Sequence, residues 1–272
     1  MLSRDSDDVG ICVGVLAEIG SCCDQFADAI AASNELLEIL VRAAGAGIEC
    51  RGLCFSALAR ALKCGGESTC IAFTSCGGVD TMMGAIGAWT PGQPPWLAIG
   101  ACMLLAAYVS GEPDSRGALM ASGRVLDVVD KILVAAAPGS DVAAAALVAL
   151  QRLIADSAAH ATAFMSRGVE TVLMAHVCAD GTEAQCAALV VIASLCTLCK
   201  CAPTFASVVD TVKRILLAEP LSMAGMEACM AVMPCLWNLS PSTATWIATS
   251  DALDRVAQVS ELGAACGFRQ LI

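Results

Sequence analysis

The chain has 272 residues, of which 57% are hydrophobic, 15% charged and only 4% aromatic, with a formal net charge of −11. That much aliphatic material excludes a disordered chain, and the acidic balance disfavours a nucleic-acid binder, whose phosphate contacts need a basic patch. Small apolar side chains at high density suit closely packed helices better than sheets.

The first segment reads Met1-Leu2-Ser3-Arg4-Asp5-Ser6-Asp7-Asp8. It is acidic where a secretory signal is basic and then apolar, and Leu2 stands where myristoylation needs glycine. A cytoplasmic setting is expected, with the nucleus as the other candidate. Residues 1–40 carry Asp5, Asp7, Asp8, Glu18, Asp24, Asp28, Glu35 and Glu38 against Arg4 alone. Such charge could steer a basic partner, and it also keeps an apolar repeat array soluble.

Helical periodicity predicts helices near 51–63, 79–88, 96–109, 141–155, 183–198, 206–217 and 226–239. The loops between them, Thr90 to Pro95, Pro138 to Asp141, Asp180 to Glu183 and Glu219 to Ser222, carry turn residues. Asp141 and Thr182 are placed to cap the helices that follow them. A mean hydropathy of +0.73 raises a membrane reading. The longest uncharged run, Thr81 to Gly111, is broken by Pro91, Pro94 and Pro95, and its continuous apolar part spans only Trp96 to Val109. That is too short for a bilayer span. Membrane insertion is therefore not expected.

Five phrases recur: Val79-Asp80-Thr81-Met82, Val125-Leu126-Asp127-Val128, Val169-Glu170-Thr171-Val172, Val209-Asp210-Thr211-Val212 and Leu253-Asp254-Arg255-Val256. Their first residues are 46, 44, 40 and 44 positions apart. A fixed period in the 40s signals one supersecondary unit used repeatedly. In each unit a short polar segment precedes a helix opening at this phrase, then a loop, then a longer helix rich in Ala, Leu and Cys. The longer helix is apolar most of the way round, as a helix sandwiched between neighbours must be.

A second marker has the same period. The longer helices end in Leu16-Ala-Glu18-Ile19, Leu58-Ala-Arg60-Ala61, Leu104-Leu-Ala106-Ala107, Leu150-Gln-Arg152-Leu153, Leu195-Cys-Thr197-Leu198 and Leu236-Trp-Asn238-Leu239. Their third positions are spaced by 42, 46, 46, 45 and 41 residues. With Gly77-Gly78-Val79, Gly123-Arg124-Val125 and Arg167-Gly168-Val169, these phrases resemble the armadillo repeat over about residues 10 to 260. HEAT repeats are the close competitor.

The resemblance implies an all-α, right-handed superhelical solenoid of about six armadillo-like repeats, a single domain over residues 1–272. Leu271-Ile272 fits either a partial last repeat or a chain that continues. The resemblance also implies binding of an extended peptide or a protein along a concave groove lined by the third helices. The candidate groove residues are Glu18, Arg60, Arg152, Thr197 and Asn238. Import receptors of this family clamp a basic peptide with a ladder of Asn and Trp. Here Asn occurs once, at Asn238, and the positions one turn earlier hold Gly14, Ser56, Cys102, Val148, Ala193 and Pro234. That departure argues against an import receptor, while Arg60 and Arg152 remain suited to carboxylates of a different partner.

The expected function is a non-enzymatic protein-binding scaffold or adaptor. The alternatives are a nucleotide-exchange helper of Hsp70 and a structural subunit of a larger assembly. No phosphate-binding GxxxxGK, no GxGxxG, no HExxH and no GxSxG occurs, and His160 and His176 stand in no nucleophile motif. No cofactor, metal or small-molecule substrate is expected. The 17 cysteines are odd in number, which speaks against a disulfide scaffold. Most sit in apolar helical stretches, as Cys54, Cys102, Cys186, Cys229 and Cys235 do, and are read as small core hydrophobes, reduced and metal-free. Cys196, Cys199 and Cys201 would need an imported fourth ligand to hold zinc. Trp89, Trp96, Trp237 and Trp246 are expected to fill space between repeats.

Overall fold

The computed structural model describes residues 3–46, 50–111, 113–155, 157–179, 183–200, 205, 207–217, 222–238 and 241–249. Every regular element among them is helical. The chain divides into two compact units, the first comprising residues 1–137 and 141–153 and the second residues 138–140 and 154–272.

The first unit contains α1 (Ser3–Cys22), α2 (Asp24–Ala31), α3 (Asn34–Gly45), α4 (Arg51–Ser75), α5 (Gly78–Ala88), α6 (Pro95–Gly111), α7 (Pro113–Ala121), α8 (Arg124–Ala135) and α9 (Asp141–Ile154), whose last residue belongs to the second unit. The repeating unit is a short helix, a medium helix and a long one. α2, α3 and the first part of α4 form one such triplet, the rest of α4 with α5 and α6 the next, and α7, α8 and α9 a third. α1 occupies the place of a third helix. The short polar segments noted in the sequence are thus the short first helices.

The long helix expected over 51–63 runs on to Ser75, because Gly66 takes φ 60° and ψ −144° and turns the chain directly into the next short helix. Only glycine adopts that conformation without strain. The Gly-rich phrases have a matching explanation. Gly77, Gly123 and Gly168 all adopt left-handed φ of 66–78° just before a medium helix. Gly78 is glycine for a different reason: a Cβ there would sit 2.2 Å from the Phe73 ring.

The core of this unit is aliphatic. Leu58, Leu62, Leu104, Leu105, Phe55 and Phe73 are fully buried. α6 is buried almost all round, from Ala98 to Val109, which is why its composition mimics a membrane segment. No described helix is long and apolar enough to cross a membrane.

The second unit contains α10 (Ala158–Met165), α11 (Glu170–Val177), α12 (Glu183–Cys199), α13 (Val208–Leu217), α14 (Met223–Trp237) and α15 (Pro241–Thr249). α10, α11 and α12 repeat the short, medium and long order, and α13 and α14 repeat its last two members. Ser157 caps α10 by accepting from the His160 amide, and Ser222 caps α14 by accepting from the Gly225 amide. Asp141, expected as a cap, is instead the first residue of α9, where its charge complements the helix dipole. Thr182 lies outside the described residues, as does the fifth recurring phrase at Leu253.

One series escaped the sequence reading. Phe73, Met120, Phe164 and Phe205 stand near the end of the first-helix position in successive repeats, and all are buried. Two expectations about tryptophan fail. Trp89 is buried, but Trp96 is 59% exposed and Trp237 46% exposed, at the start of α6 and the end of α14.

Candidate functional site

Most long helices place the third residue of the Leu-x-x-Leu phrase outward, because its first Leu points into the core. On α1 the fourth residue, Ile19, is itself exposed, and on α12 Leu198 is half-buried. Leu16 apart, the inward residues are fully or almost fully buried: Leu58, Leu104, Leu150 and Leu153, and in the second unit Leu195 and Leu236. The third position of the phrase then faces away from the core. Glu18, Arg152, Thr197 and Asn238 are exposed and Arg60 is half-buried. Ala106 is buried, at 8% exposure.

In the first unit α1, α4 and α6 pack side by side, and their outer face holds a cleft of about 520 Å³. It is lined by Ser21, Asp24, Ser56, Arg60, Lys63, Cys64 and Met103. Arg60 is the member that sequence reasoning found. Its guanidinium is already engaged: one nitrogen donates to the Ser21 carbonyl at 3.1 Å, and another donates to the Asp24 carboxylate. Arg60 thereby closes the C-terminal end of α1, where free carbonyls favour a cation. Ser56 donates to the Gly52 carbonyl at 3.1 Å.

Met103 and Lys63 are the freer parts of the cleft, both exposed. Cys64 borders it with a thiol pushed up by desolvation, then by the hydrogen bond and charge of Asp28 and the charge of Asp24, while Arg60 pulls it down. A thiol held protonated in this way is a poor nucleophile.

The long helices of this unit also leave large apolar side chains in solvent. Val15 and Ile19 on α1, Leu53 on α4, Trp96 and Met103 on α6 and Val148 on α9 are 39–59% exposed. Arg152 is in the last turn of α9, where a cation is favoured.

In the second unit Thr197 and Asn238 turn inward on their own backbones. Thr197 Oγ1 donates to the Ala193 carbonyl at 2.9 Å and lies 3.6 Å from Cys235 Sγ. Asn238 caps α14 and donates from Nδ2 to the Pro234 carbonyl at 3.1 Å. An amide spent on its own helix end is not presented as a peptide clamp. Met223, Met230 and Trp237 of α14 are 38–46% exposed.

α12 ends at Cys199, and Lys200 takes a positive φ of 54°. Cys201 lies outside the described residues. Among the described residues no group of three or more His, Cys, Asp or Glu is placed to hold a metal, and fourteen cysteines are free thiols.

The chain resembles several solved repeat proteins. A designed armadillo repeat protein superposes with a TM-score of 0.68 at 14% identity, covering 88% of this chain and 96% of that one. The fold is armadillo-like. An engineered protein matches with a TM-score of 0.66 at 19% identity, over 86% of this chain and 92% of that chain. A second designed armadillo repeat protein, solved in complex with the peptide (KR)4, gives 0.65 at 14% identity, over 86% and 95%. No protein-family model matches the sequence, and no curated protein matches it. At these identities the likeness concerns the armadillo-like fold itself.

Proposed function

We propose that this armadillo-like chain is a non-enzymatic scaffold, one array over residues 1–272, that binds a protein or extended peptide on the outer face of its third helices. The supporting observation is where apolar surface is left bare. Of the thirteen large apolar side chains exposed among the described residues, nine lie on third-helix elements. Soluble proteins leave single apolar residues exposed everywhere, so a concentration on one helix class marks an interaction surface.

The mode of recognition differs from an amide ladder. Asn238 is turned onto Pro234, so affinity rests on burying apolar side chains such as Leu53, Trp96 and Met103. Each square ångström covered contributes roughly 25 cal/mol before ordering costs are subtracted. Glu18, Lys63 and Arg152 sit on the same helices and set the orientation of a charged partner. An intracellular setting accords with the free thiols.

The test is co-purification from the native cell, comparing the wild type with a Leu53→Glu, Met103→Glu variant. A partner recovered by the wild type and lost by the variant, with helical circular dichroism unchanged, supports this reading. Equal recovery by both sinks it. A chain that behaves as a monodisperse monomer in size-exclusion chromatography also argues against a subunit permanently buried in a larger assembly.

A further inference from the structure

A cleft of about 660 Å³ in the first unit lies away from the third-helix face, at the corner where the second half of α4 and the start of α5 approach α7 and the start of α8. The preceding pair of short helices is closed, for Thr69 Oγ1 on α4 donates to the Ala31 carbonyl at the end of α2 at 3.3 Å. Here the next short helix stands off, and Ile71 is left 52% exposed beside Leu119 and the buried Met83. The floor is set by Tyr108, whose hydroxyl lies 2.9 Å from Thr74 Oγ1. That hydrogen bond partners the hydroxyl of the buried Tyr108, beside the apolar Ile71, Met83 and Leu119.

Three charged side chains surround this lining: Asp80, Asp114 and Arg124. All three are exposed, and none of these side chains makes a hydrogen bond or ion pair among the described residues. Asp80 and Asp114 stand in the first turns of α5 and α7, where helix dipoles favour anions. That accounts for their stability in those positions, but it does not account for Ile71 being bare between them. Two carboxylates against one guanidinium leave the mouth negative, and the net charge of −11 draws cations toward the whole chain.

We propose that this corner cleft is a second docking site, for a segment of a partner protein that presents an aliphatic side chain next to a lysine or arginine. The aliphatic group covers Ile71 and Leu119 over Met83. The neighbouring cation meets Asp80 and Asp114, and Arg124 repels a second one, which restricts how the segment lies.

The experiment uses the full chain with methyl-labelled methionine and a short amidated Leu-Lys repeat peptide, with a Leu-Glu repeat peptide of equal length for comparison. The Met83 resonance is expected to move saturably with the Leu-Lys peptide. The Asp80→Asn, Asp114→Asn double variant should bind it about two- to fivefold more weakly, and Arg124→Gln should bind it more tightly. A Met83 signal that stays still, one that responds equally to the Leu-Glu peptide, or an affinity unmoved by the double variant would each overturn the assignment. Met103 borders the third-helix cleft, so its response reports on that site separately.

Discussion

Gly52 and Gly100 meet where α4 crosses α6: a Cβ built on Gly100 would lie 2.7 Å from the Gly52 carbonyl oxygen. On the other side, a Cβ on Gly52 would lie 2.8 Å from Cδ1 of Trp96. The two long helices therefore approach to backbone contact, and this spacing sets the width of the apolar face between them. Gly100→Ala must separate the helices. We expect a loss of about 1–3 kcal/mol, the usual cost of overpacking, read as a lower urea midpoint with unchanged slope.

The turn at Gly66 gives a second test. Alanine cannot hold φ 60° and ψ −144° without strain, so Gly66→Ala should cost about 1–3 kcal/mol. Gly84 lies inside α5 with an ordinary φ, and a methyl group added there would meet nothing within 4 Å. Gly84→Ala should stabilise by about 0.5–1 kcal/mol through helix propensity alone. Opposite shifts in thermal midpoint for the two variants are the expected outcome, and equal shifts would contradict the structure.

Burial pushes the thiols of Cys54, Cys102 and Cys229 up to about 12 from an ordinary 9.0, with the neighbouring Cys50 adding to the effect at Cys54 and Cys186 at Cys229. In the unfolded chain these thiols ionise from pH 9.0, while in the folded protein they stay protonated to about 12. Unfolding therefore releases protons in that window, and stability, complete below it, falls as pH rises through it. Urea midpoints followed from neutral to alkaline pH should decline less steeply in a Cys54→Ala, Cys102→Ala, Cys229→Ala variant. Parallel curves would refute the assignment.

Arg60 and Asp24 form a pair whose side chains are 36% and 82% exposed. Solvent screens such a pair, so its worth is about 0.2–1 kcal/mol. Arg60→Ala should cost about that amount, and the difference should shrink in high salt. A salt-independent loss would mean that the contact with the Ser21 carbonyl dominates.

Much of the fold was legible because a repeat states the same local physics many times. The helix expected over 183–198 is observed as Glu183–Cys199, and that expected over 141–155 as Asp141–Ile154. Outward placement of Arg152, Thr197 and Asn238 follows from the buried Leu150, Leu195 and Leu236 two residues before them. The short first helices were harder to read. α2, α7 and α10 have 8 or 9 residues each, too few for a periodic pattern, and they are helical because neighbours bury Ile30, Met120 and Phe164.

By itself the sequence determined the period, the helical class and which turn of each long helix faces outward, since all three depend on residues within a few positions of one another. Tertiary structure alone decided what those outward residues do. Arg60 is held by Asp24, 36 positions away, and the corner cleft joins Ile71 to Leu119 across two repeats. Trp96 touches Gly52 of α4 yet stays 59% exposed, and Asn238 folds onto Pro234 as its helix ends. Spacing along a chain sets the direction of a side chain relative to its own helix. Whether that direction meets solvent, a carbonyl or a cleft is set by helices brought alongside from some forty residues away.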